Sequence, residues 1–166
     1  MSAMTRISVA VVVSVAVFSC VAASRDSGGD RARELAQACA GLDDVEVADA
    51  IAAIRPNIEA VQTKYETMSY PKGSPAQRLD GALIYVRATQ GASAPWLTRV
   101  LSCHALRHAP ALCAAHDRCP LALEGTRVST TETATGFAIA IEAKDRAVVD
   151  EIVRRSRELA PAASPR

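Results

Sequence analysis

The chain has 166 residues, a formal net charge of +1 and few aromatic side chains: one Trp, two Phe and three Tyr. A basic stripe with stacking aromatics, the usual footprint of a nucleic-acid binder, is missing, so nucleic acid is not an expected partner. Glycine-rich phosphate loops are missing too.

The first residues set the compartment. Arg6 supplies a positive start, and residues 7–18 form an unbroken apolar or small-residue run. Crossing the hydrocarbon core takes about 20 such residues, so the run is too short to span and has the shape of a secretion signal over residues 1–23. Two cleavage sites compete. Val17-Phe18-Ser19-Cys20 resembles a bacterial lipobox, in which Cys20 is lipidated and becomes the new N-terminus, although Phe18 stands where a small or aliphatic residue is usual. Val21-Ala22-Ala23 fits an ordinary small-x-small site with cleavage before Ser24. The lipid on Cys20 would make a membrane the one expected partner, and residues 24–29 would be a flexible tether to it.

Residues 30–68 read as a helical segment. Asp30 suits a helix N-cap, Gly41 a helix end, and Asp43-Asp44 the positive end of a second helix. Val47, Ile51, Ile54, Ile58, Val61 and Tyr65 recur at helical spacing, with Pro56 expected to kink or break the element. Residues 69–78, with Pro71, Gly73 and Pro75, read as a linker.

Residues 79–159 change character. A strand at 82–87 precedes a helix from Pro95 to about His108, and strands at 126–131 and 137–141 flank the turn before Gly136. A last helix follows the Asp145 cap, and residues 160–166 read as a disordered tail. The fold class expected is α+β: an N-terminal helical segment followed by a β-α-β-β-α unit. That unit looks like a split ferredoxin-like arrangement with a three-stranded sheet, one hairpin strand central, and no final strand.

The chemistry-bearing residues concentrate between positions 103 and 119: Cys103, His104, His108, Cys113, His116 and Cys119. Thiolate and imidazole are copper and zinc ligands, so a copper- or zinc-binding role is one reading of these six. The other comes from export. Outside the cytoplasm cysteines pair, and once the signal is removed Cys39, Cys103, Cys113 and Cys119 remain, with three complete pairings open. Cys39 is placed to pin the N-terminal helices to the sheet domain. At about 100° per residue, Trp96, Leu97, Val100 and Leu101 form one apolar arc. His104 falls near its middle and should be buried, whereas Cys103 lies just past the Trp96 edge. A Cys113–His116 thiolate pair lacks an orienting group and an oxyanion pocket, so no catalytic residue is assigned.

Residues 79–159 resemble small exported bacterial proteins of the lipoprotein kind, on Trp96, Cys103-His104, Cys119-Pro120-Leu121, Gly136-Phe137-Ala138-Ile139 and the helix from Asp145 to Arg155. The resemblance brings no activity. It implies a Cys103–Cys119 bond with His104 packed beneath it. The sequence thus points to a small, lipid-anchored or periplasmic envelope protein with a disulfide-stapled structural or interaction role, and metal binding is the alternative.

Overall fold

The computed structural model describes residues 27–71, 73–108 and 118–160. The expected signal, Cys20, the start of the tether, Cys113, His116 and the tail beyond Ala160 lie outside the described residues, as does the His108 side chain. No helix among the described residues is long and apolar enough to cross a membrane.

The described chain is α+β, with four helices and one four-stranded antiparallel sheet. Helix α1 covers Ser27–Ala38 and α2 Asp44–Ile54. Ser27 to Gly29 are therefore helical rather than tether. Gly41 takes a left-handed φ of 71° between the two helices, a conformation that glycine adopts without a Cβ penalty. The Asp43 carboxylate accepts from the Glu46 N–H at 2.6 Å and so caps α2, at the helix start that the sequence places near Asp43-Asp44.

At Pro56 the helix breaks as expected, through a 3₁₀ turn at Arg55–Asn57. The segment after this turn is extended, not helical. Ile58–Met68 is strand β1, and Ala76–Arg87 is strand β2, paired with it antiparallel. The expected linker is thus mostly the turn of a hairpin. The apolar spacing of Ile58, Val61 and Tyr65 mimics a helix because β1 carries irregularities at Ile58/Ala60 and Lys64/Tyr65, which spoil strict alternation. The β-formers Val61, Thr63, Tyr65 and Thr67, every second residue, are the signal that identifies the strand.

Beyond the hairpin the elements fall close to their expected places: α3 at Ala94–His108, β3 at Arg127–Glu132, β4 at Gly136–Glu142 and α4 at Arg146–Glu158. Asp145 caps α4 by accepting from the Ala147 and Val148 N–H groups. The sheet order is β1-β2-β4-β3, so β4 is central as expected and the sheet has four strands, not three. The edge position beside β2, expected to be empty, is filled by β1 from the N-terminal side.

One face of the sheet makes the main core. Ala82, Ile84 and Val86 stand beside Ile141, Ile139 and Phe137, and pack with Leu97, Leu101, Val149 and Ile152 from α3 and α4. At the edge strand β3, the Thr130 N–H donates to the Thr98 hydroxyl of α3 at 3.0 Å, which ties the edge to the helix. The N-terminal helices form a further layer on α3: Leu42, Val47 and Ala50 pack with Val100 and Cys103. Arg107 bridges the same layers through an ion pair with Asp44 and a 3.2 Å hydrogen bond to the Leu42 carbonyl.

At one end of the sheet, Gly81 lies between Lys64 and Glu142 in the cross-strand row. A Cβ on Gly81 would stand 1.9 Å from the Ile141 carbonyl oxygen, so only glycine fits. The bare position also leaves Lys64 a path across the middle strand, and its ammonium sits 2.8 Å from Asp80 and 2.7 Å from Glu142. Burial pulls the Lys64 pKa down, but the hydrogen bonds and charges of Asp80 and Glu142 outweigh it and the net direction is up.

Candidate functional site

Helix α3 turns different residues toward different layers. Leu97, Leu101 and Ala105 face the sheet, and Val100 and Cys103 face α2. His104 follows Leu97 and Leu101 at helical spacing and is 6% exposed, the buried position expected of it. Cys103, one residue earlier, points about 100° away around the helix. It is fully buried and forms a disulfide with Cys39, just past the end of α1.

This geometry corrects the pairing that the resemblance implies. Cys103 is bonded to Cys39 and not to Cys119, because Cys103 packs with Cys39 in the cluster of the N-terminal helices whereas Cys119 packs against the sheet core. Cys119 instead approaches His104, its Sγ lying 3.6 Å from His104 Nε2. The Cys39–Cys103 bond joins the helical layer to the sheet domain, the role expected of Cys39 from the sequence.

The expected ligand set is divided by the same arrangement. Cys103 is consumed by its disulfide. His104 and Cys119 come together, whereas Cys113, His116 and the His108 side chain lie outside the described residues. Among the described residues, no group of three or more His, Cys, Asp or Glu side chains is placed to hold a metal ion.

The backbone around Cys119 is held from α4. Arg155 donates through Nη1 to the Cys119 carbonyl at 3.1 Å, and through Nε to Glu151 at 2.6 Å. Hydrogen bonds from Arg154 and Arg155 hold the Glu151 carboxyl down at about 2. Pro120 and Leu121, which come directly after Cys119, are buried. The Cys119-Pro120-Leu121 run therefore lies against the core with its first carbonyl fixed by a charged donor.

Between this run, α3, the end of α2 and the sheet lies a cavity of about 300 Å³. Its floor is Ile84, Ile139 and Ile141, from the two central strands. Leu101, Ile54, Ile58 and Leu121 make apolar walls, with His104 and Cys119 on one side. Arg55 and Arg118, both exposed, are its charged lining residues. Neither the cavity nor Arg55 stands out in the sequence, because they arise where β1 enters beside β2. An apolar space with a few convergent polar groups is the usual form of a small-molecule site.

No family model, curated protein or solved structure matches the chain.

Proposed function

We propose that this chain is an exported envelope protein, tethered to a membrane by a lipid on Cys20, whose folded part is a disulfide-stapled binding and interaction domain rather than an enzyme. The observation that carries the reading is the Cys39–Cys103 bond, whose Cys103 end is fully buried. Structural disulfides of this kind persist in oxidising compartments and are rare in a reducing cytoplasm. The short apolar run at residues 7–18 and the lipobox-like Val17–Cys20 support the same compartment from the sequence. We also read the sheet as a split ferredoxin-like unit in altered chain order. Its fourth strand enters before the unit instead of after it, which the order β1-β2-β4-β3 supports.

Expression of the full chain in a bacterial host, followed by fractionation and intact-mass analysis, tests this. The expected product begins at Cys20, carries a lipid mass, sits in the membrane fraction and has Cys39 joined to Cys103; Cys20→Ser should lose the lipid and leave the membrane. A product that keeps Met1 in the cytoplasm with Cys39 and Cys103 reduced would sink the reading. Reduced thiols carrying one equivalent of copper or zinc would replace it with a metal-binding role.

A further inference from the structure

We propose that the cavity beside Cys119 is a binding site for a medium-chain carboxylate, its acyl chain lying on the sheet and its carboxylate held at the mouth by Arg55 and Arg118. Size comes first. At about 300 Å³ the space is twice the roughly 150 Å³ apolar cavity that stays dry and accepts a benzene-sized ring. It is therefore large enough for a chain of several methylenes. Its interior is hydrocarbon: Ile84, Ile139 and Ile141 are all 5% exposed or less, and Leu101 is 3% exposed. Each methylene moved there from water contributes about 0.8 kcal/mol.

Charge selects the head group. Among the described residues, the only ionised side chains lining the cavity are two arginines from different elements: Arg55 in the turn after α2 and Arg118 just before Cys119. Most arginines of this fold are committed to carboxylates, as Arg78 is to Glu66 and Arg154 to Glu151 and Glu158. Arg55 and Arg118 have no ion-pair partner among the described residues. Among the described residues, no acidic side chain lines the cavity to repel an anion or to satisfy them. A guanidinium pair over an apolar shaft is complementary to a carboxylate with a hydrocarbon tail.

The isoleucines supply the readout. Seven lie in residues 27–160 and six of them line the cavity, Ile152 being the exception. The mature protein, labelled at isoleucine methyls, is titrated with octanoate and, separately, with octanol. The expected result is saturable shifts at the six cavity isoleucines, none at Ile152, and at least tenfold weaker binding of octanol. The double variant Arg55→Gln/Arg118→Gln, altered only at exposed positions, should bind octanoate no better than octanol while Ile152 keeps its resonance. Equal affinity for the two ligands in the unaltered protein would overturn the proposal, as would shifts that include Ile152. A third contrary outcome is possible if the lipid of Cys20 fills the cavity itself. The lipidated form would then show displaced isoleucine methyls before any addition and would take no octanoate, whereas the delipidated form would bind it. The octanoate and octanol titrations do not depend on the compartment, so the site can fail while the export reading stands, and the reverse.

Discussion

Ser156 illustrates how much one buried atom can decide. It lies on the inner side of α4, fully buried, and its hydroxyl has no hydrogen-bond partner among the described residues. A buried hydroxyl without a partner has lost its water and gained nothing in exchange. Ser156→Ala is therefore expected to stabilise the protein by about 1 kcal/mol, seen as a higher urea midpoint with an unchanged slope. A lower midpoint would mean that the hydroxyl is satisfied. Single residues also show where the sequence is informative. The burial of His104 is legible, because it falls in the middle of the apolar arc of its helix. The partner of Cys103 is not. Four cysteines allow three pairings, and the choice depends on which layer covers the Val100 side of α3, a fact of tertiary packing.

At the scale of the element, α4 is both a core helix and a clamp. Its inner face buries Val149, Ile152 and Val153, and Glu151 gathers Arg154 and Arg155, the latter holding the Cys119 carbonyl. The Glu151 pKa is lowered from 4.5 to about 2 in the folded state. A depressed carboxyl contributes stability that is present above pH 4.5 and lost as pH falls toward about 2. Because the pair is partly in water, the contribution is about 0.5–1 kcal/mol. Glu151→Gln should cost that amount near neutral pH, and the gap between the variant and the parent in urea melts should close by pH 2. A gap that persists at pH 2 would locate the effect in packing instead. Helix α4 is readable from its Asp145 cap and its stripe of Val148, Val149, Ile152 and Val153. Strand β1 is harder to read, because the helical spacing of Val47, Ile51 and Ile54 continues through Ile58, Val61 and Tyr65 and competes with the alternation of Val61, Thr63, Tyr65 and Thr67.

At the scale of the whole molecule, two layers meet at α3. The sheet with α3 and α4 has its own core, and α1 with α2 adds a second, smaller cluster on the far side of α3. The bond between Cys39 and Cys103 spans 64 positions in the chain. Closing a loop of that length removes enough freedom from the unfolded chain to stabilise the folded one by about 4 kcal/mol. Replacing both cysteines by serine should lower stability by about 2–4 kcal/mol in guanidinium or urea melts, with the sheet retained in circular dichroism. A loss below about 1 kcal/mol would show that the helical layer holds without the staple. The α+β class, the last helix and the β3–β4 hairpin can be read from the sequence because each rests on local signals. The fourth strand and the cavity beneath it depend on where a distant hairpin docks.

The covalent loop closed by Cys39 and Cys103 contains α2, β1 and β2 entirely. A protease that cuts the chain once in the turn between β1 and β2 therefore releases no fragment. The nicked molecule gains the mass of one water, keeps both strands in place and migrates as one species until a reductant is added, when it separates in two. Against proteolysis, the staple makes that exposed turn expendable.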